Sequence, residues 1–249
     1  MKRCFKRMIS LGVTLAFLIT LFVPSVSALD FPANDEDILQ ETTDNIEQEL
    51  NAQGTSISQE LNKLIVTYQT DAEKATSVEQ KDQLLQLAQA TKNILEKYER
   101  YGLLRGSPAV EAKYALAIAA IVSWFNSQGY ILSAELLTHA DDNTNPNSTY
   151  VPSYGYIVDY SSVTTAIRRG PGSNGTGIYS ISDNADLHYS INKFNWTKTS
   201  SQLVISDTYD YELGDPSYSN ITGQAVNAMA LAQKEGAIVP YSVVIYTNL

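Results

Sequence analysis

Cysteine is all but missing from this 249-residue chain: its single example, Cys4, lies among the first residues. A disulfide-stapled scaffold is therefore excluded, and stability has to come from packing alone. Histidine is almost as scarce, with only His139 and His188. With so few imidazoles and one thiol, a zinc finger is ruled out. The phosphate-binding G-x-x-x-x-G-K-[ST] loop, the dinucleotide fingerprint and the G-x-S-x-G nucleophile elbow are also lacking. Basic residues are outnumbered, 17 against 27 acidic ones. Phosphate polymers would be repelled, so no nucleic-acid partner is expected.

The N-terminus carries a different signal. Lys2, Arg3, Lys6 and Arg7 precede an apolar run from Ile9 to Val23, and Val26-Ser27-Ala28 offers small residues where a signal peptidase cuts. Residues 1–28 are expected to be a secretory signal peptide, with the mature chain starting at Leu29. Cys4 is far from that cut, so lipidation is not expected, nor is a stable membrane anchor after cleavage. Four basic and no acidic residues precede Leu29, which leaves 13 against 27 and a net charge of −14.

Beyond the signal the chain has two characters. Residues 29–56 are acidic and polar, either a mobile stalk or weak helix, or a partner-seeking helix along Ile38, Ile46 and Leu50. Residues 57–141 read as helices. Leu61, Leu64, Ile65 and Tyr68 recur at i, i+3, i+4, i+7, and Leu84, Leu87, Ala88, Ile94, Leu95 and Tyr98 do so over a longer span. Ser77 is a capping candidate, Ser107-Pro108 a helix start, YALAIAAIVSWF a buried helix and ILSAELLTHA a short one. Residues 142–249 read as β-rich: Tyr154, Tyr156 and Val158 alternate, Ser162–Ile167 is β-prone, and Leu187, Tyr189 and Ile191 alternate toward Trp196. Gln202–Tyr211 is a strand, Thr222–Glu235 a helix stopped by Gly236, and Ala237–Thr247 an edge or late-starting strand because of Pro240. Helices followed by strands predict an α+β fold, with the helical region packed against or preceding an antiparallel β-rich domain.

Chemistry concentrates in SDTYDYELGDPSY, which carries Asp207, Asp210, Glu212 and Asp215 with Tyr209, Tyr211 and Tyr218. On a regular strand Asp207 and Tyr209 share one face with Leu203 and Ile205, while Asp210 points away unless the strand ends first. Three readings stand open: a solvated strand exit, an oxygen-ligand site for Mg²⁺ or Ca²⁺ on Asp207 and Asp210, or acid/base chemistry with Tyr209 beside it. Arg168-Arg169 before GPGSNGTG is a candidate anion site, or a common glycine loop. Glu135 and His139, at i, i+4, have ligand-compatible spacing or pair on a helix surface. Tyr150, Tyr154, Tyr156 and Tyr160 are either a stacking surface for glycans or sheet packing.

Three segments, FNSQGYILSAELLTHADDNT, DLHYSINKFNWTKTS and the stretch from YDYELGD to VVIYT, resemble uncharacterised secreted proteins of Gram-positive bacteria. That likeness implies secretion but no activity. Asp207-Thr208-Tyr209-Asp210 is similar to the Asp-x-Tyr-Asp motif of the colicin M-type bacteriocins, whose β-rich catalytic domains cleave a lipid-linked cell-wall precursor with divalent metal support. The resemblance implies roles for Asp207, Tyr209 and Asp210. The His-Arg pair that follows the family motif is missing between Asp210 and Lys234, which leaves His188 on the preceding strand as acid/base. Two functions are thus expected to compete: a secreted, non-catalytic module binding a cell-envelope component or protein partner, and a toxin-like metal-assisted phosphodiesterase.

Overall fold

The computed structural model describes residues 35–102, 110–143, 147–212 and 221–249. The expected signal peptide, Ser107-Pro108, Asp215 and Tyr218 lie outside these residues. The fold is α+β, as expected. Five helices come first: α1 (Asp35–Ala52), α2 (Ile57–Lys74), α3 (Val78–Gly102), α4 (Val110–Ser127) and α5 (Ile131–Asp142). Then follow β1 (Thr149–Tyr150), a 3-10 helix (Gly155–Tyr160), α6 (Ser162–Arg169), β2 (Asn174–Ile178), α7 (Ala185–Ile191), β3 (Lys193–Lys198), β4 (Gln202–Tyr209), α8 (Ile221–Lys234) and β5 (Tyr241–Asn248).

The helical half obeys its periodicity. Leu61, Leu64 and Tyr68 of α2 are fully buried, and Leu84, Leu87, Ala88, Ile94 and Leu95 of α3 are buried. Ser56 Oγ accepts the Gln59 amide and Ser77 Oγ the Gln80 amide, each satisfying an orphan donor of a first turn. Every residue of α4 from Tyr114 to Phe125 is buried, so α4 is the central rod on which the other helices pack. Gly129 takes φ +76° after α4, and Tyr130 N–H bonds Phe125 O across it. Gly236 does the same after α8, so both helices end on left-handed glycine.

The acidic segment takes the helical one of its expected forms. Over Asp35–Ala52 it is a helix docked in the core, not a stalk: Leu39, Ile46 and Leu50 are buried in the cluster that holds α4 and α8. Three apolar residues on one stripe suffice because α4 presents apolar surface all round, while Asp37, Glu41 and Asp44 are exposed.

The sheet runs β1-β5-β4-β3-β2, with β1–β5 parallel and the other pairs antiparallel. Leu203, Ile205 and Tyr209 of β4 and Tyr241, Val243 and Ile245 of β5 are buried on one face; Gln202, Thr208, Ser242 and Tyr246 are exposed on the other. Tyr241 OH donates to Leu136 O at 2.7 Å, tying β5 to α5. The helical 57–141 and β-rich 142–249 regions therefore share one hydrophobic core. Pro240 does delay β5, which starts at the next residue, yet β5 is interior, flanked by β1 and β4.

Three expected strands are helical instead. Ser162–Ile167 is α6, because Ser161 Oγ caps the Val163 and Thr164 amides and overrides β propensity. Leu187–Ile191 is α7, because Asn184 Oδ1 accepts the Leu187 amide; residues at i and i+4 suit a helix as well as a strand. Tyr156 and Val158 fall in the 3-10 helix, and Tyr154 is its N-cap. Conversely, part of the glycine-rich turn is β2. Its glycines let aromatic rings lie flat on the strand: a Cβ on Gly175 would sit 2.8 Å from Trp196, and one on Gly177 would clash with the Phe194 ring that stacks on Tyr179. Gly177→Ala is expected to cost about 2 kcal/mol by overpacking, read by urea denaturation. A Gly172→Ala control, whose Cβ would meet only the Trp196 ring edge at 3.0 Å, should cost less.

Candidate functional site

The end of β4 places the first candidates. Asp207 is half-buried on the inner face of the sheet, opposite Val243 of β5, as the alternation predicts. The strand ends at Tyr209, so Asp210 has left the ladder. Among the described residues the one hydrogen bond to Asp207 comes from its neighbour's amide, Thr208 N–H, at 2.8 Å. Burial pushes the carboxyl up to about 7, and Asp210 adds repulsion. Asp210 is itself raised, by burial first and then by Glu212.

Asp207's folded pKa is above its unfolded value, so folding takes up a proton as pH rises from about 4 to about 7. Ionised Asp207 accordingly destabilises the native state above that window. Asp207→Asn is expected to raise the melting temperature near pH 8 and to change it little near pH 4. The gain is of order 1 kcal/mol after solvent screening.

The partners expected for Asp207 are engaged in other contacts. Tyr209 is a core residue, 3 % exposed, its ring 5.3 Å from those of Tyr211 and Tyr241 and its hydroxyl bonded to Tyr211 OH. It does not face solvent to orient a substrate. His188 is on α7 and not on a strand; its Nδ1 is 2.9 Å from Tyr179 O and 2.6 Å from Asn192 Nδ2. The ring thus stitches α7 to the segment after β2. Arg168 Nη2 pairs with Asp159 Oδ1 and donates to Thr247 Oγ1, which also bonds Asp159. Arg169 is exposed at the end of α6. The start of the glycine-rich segment turns carbonyls, not amides, inward: Lys198 Nζ donates to Gly170 O at 2.6 Å and Arg168 O at 3.3 Å. A stretch that holds an ammonium is built opposite to an anion nest.

Glu135 and His139 share one face of α5, which is buried at Glu135 and half-buried at His139. Glu135 accepts Tyr150 OH at 2.8 Å, Ser153 N–H at 2.7 Å and Tyr154 N–H at 2.9 Å. Burial lifts it to about 7 against the pull of those donors. One turn on, the His139 ring stacks on Tyr150 at 3.8 Å and meets the Tyr241 ring edge-on at 4.7 Å; burial lowers it to about 4, so it is neutral. Among the described residues no group of three His, Cys, Asp or Glu side chains is disposed to hold a metal ion.

Asp186 was not among the sequence candidates. It lies in the first turn of α7 and accepts Leu132 N–H at 3.0 Å, Ser133 N–H at 2.8 Å and Ser133 Oγ–H at 2.7 Å, closing the N-terminus of α5. Tyr130, at the start of α5, has no capping side chain, which is the one local hint that an acceptor must come from afar. Asp183 serves α6 in the same way, accepting the Ser162 amide and the Ser161 and Ser162 hydroxyls.

A cleft of about 490 Å³ opens between α3, the end of α5 and β1. Gln83 and Gln86 enter it from one face of α3, His139 and Asp142 from α5, and Thr149 and Tyr150 from β1. Gln83 Nε2 donates to Val151 O at 2.8 Å and ties α3 to the chain leaving β1. The tyrosines beyond divide: Tyr150 and Tyr154 are core, whereas Tyr156 and Tyr160 are 51 % and 75 % exposed. Compared with family models, curated proteins and solved structures, the chain has no match.

Proposed function

We propose that the protein is secreted and acts outside a Gram-positive cell as a non-catalytic interaction module of the envelope. The observation that supports this reading is the use to which its buried acids are put. Glu135 and Asp186 each face three donors and hold helices or turns together, so neither carboxylate is presented to a substrate. Among the described residues no nucleophile–base–orienter chain runs through Asp207, His188 or Arg168, whose hydrogen bonds lead to different partners.

A second reading is favoured by one fact, the half-exposed Asp207 lifted to about 7, poised to move a proton near neutrality. In that reading the protein is a metal-assisted phosphodiesterase, with Asp207 and Asp210 taking Mg²⁺ or Ca²⁺. One experiment separates the two. The purified protein is incubated with a lipid-linked cell-wall precursor and either cation, and in parallel is sedimented with purified cell walls. Co-sedimentation without cleavage is the expected result. Cleavage that disappears in both Asp207→Asn and Asp210→Asn would establish the enzyme and retire the module.

A further inference from the structure

We infer that the cleft between α3, α5 and β1 binds an uncharged saccharide, with the exposed tyrosines of the 3-10 helix, a few residues further along the same segment, as its stacking surface. The inference rests on the module reading and supplies its ligand class. The cleft volume of about 490 Å³ falls in the range of small-molecule sites. Its polar lining combines the amides of Gln83 and Gln86, the Thr149 hydroxyl and the Asp142 carboxylate, with Leu87 as an apolar wall. No lysine or arginine is among the described lining residues, and His139 adds no positive charge because burial keeps it neutral. A phosphate or carboxylate ligand would meet Asp142 without a counter-ion, in a chain of net charge −10. Sugar hydroxyls suit the same set, since each both donates and accepts: amides and the threonine hydroxyl answer in both directions, and Asp142 accepts.

The aromatic evidence is independent of the cleft. Tyr156 and Tyr160 lie 6.4 Å apart, ring to ring, at 84°, and Tyr154 stands 6.1 Å from Tyr156 with its hydroxyl fixed on Asp71 Oδ2 at 2.8 Å. Two exposed rings on one short helix, braced by a third that is buried, offer a surface for the C–H faces of pyranose rings. The chain from Thr149 to Tyr160 carries both features, the cleft wall at its start and the platform at its end. An extended peptide fits less well. It would need an open row of backbone groups, but β1 has two residues and the carbonyl after it, Val151 O, is already held by Gln83.

The test uses the whole protein and the uncharged tetramer of N-acetylglucosamine as probe, with a lysine-containing tetrapeptide and inorganic phosphate as comparison arms. Titration followed by NMR is expected to shift the Gln86 side-chain amide, the His139 ring and Tyr156, saturating in the millimolar range. Gln86→Ala and Tyr156→Ala are each expected to weaken binding about five-fold with an unchanged melting temperature, since both side chains are exposed. Absence of shifts with the tetrasaccharide, shifts with the peptide or phosphate instead, or binding indifferent to both variants would overturn the assignment. Sedimentation with cell walls tells the two levels apart. Protein that sediments but ignores the tetrasaccharide refutes the ligand class alone; protein that does neither refutes the module as well.

Discussion

Glu135→Ala is expected to lower the unfolding free energy by about 4 kcal/mol, the largest effect of any single substitution considered for this protein. The carboxylate is fully buried and is the acceptor for Tyr150 OH, Ser153 N–H and Tyr154 N–H. Alanine would leave those three donors facing a cavity at the junction of α5, β1 and the 3-10 helix. Glu135→Gln keeps one oxygen and the volume, so its cost should be nearer 1–2 kcal/mol. The two variants also differ from wild type in pH dependence. Glu135 is raised from 4.5 to about 7, so the native state holds its proton where the unfolded chain has lost it. Its contribution to stability therefore falls as pH rises through that window, by of order 3 kcal/mol. Denaturant melts at several pH values should show that slope in wild type and its loss in Glu135→Gln. His139 titrates with the opposite sense. Lowered to about 4, it favours the folded state above its unfolded pKa, and that stability is lost as pH falls from about 6.5 toward 4.

Asp186→Ala ranks second, with an expected loss of about 3 kcal/mol. Its two oxygens are the acceptors for the first free amides of α5, and Ser133 Oγ bonds both its side chain and its carbonyl. Burial raises this carboxyl above the usual range, with Ser133 and Leu132 pulling it back. Asp186→Asn, which keeps one acceptor, should recover roughly half of the loss. In a double-mutant cycle with Ser133→Ala the two effects should couple by about 1 kcal/mol or more, because they share the same hydrogen bonds. Additive losses would show that the cap does not act as a unit.

These two residues also mark where the sequence stopped being informative. Glu135 could be assigned to a helix and to the same face as His139, but its burial could not, because the donors come from a turn 18 and 19 residues on. Asp186 could not be singled out at all, since the amides it caps are 53 and 54 residues away. Asp207 was legible in orientation, through the alternation of Leu203, Ile205 and Tyr209, and not in its surroundings. The exposure of Tyr156 and Tyr160 against the burial of Tyr150 and Tyr154 was equally hidden, as a 3-10 helix sorts side chains differently from the strand that their spacing suggested.

What the sequence determined by itself was whatever short-range repetition encodes. The apolar stripes of α2 and α3, the all-round apolar α4, the inward face of β4 and the glycine stops of α4 and α8 follow from spacing and backbone freedom within a few residues. Only the tertiary structure decided which polar groups meet. A buried carboxylate has to find donors to remain in the core, and nothing near it in the chain says which ones. That choice made Glu135 and Asp186 internal braces, gave His188 and Arg168 separate partners, and left the cleft beside α3 with no lysine or arginine among its described lining residues.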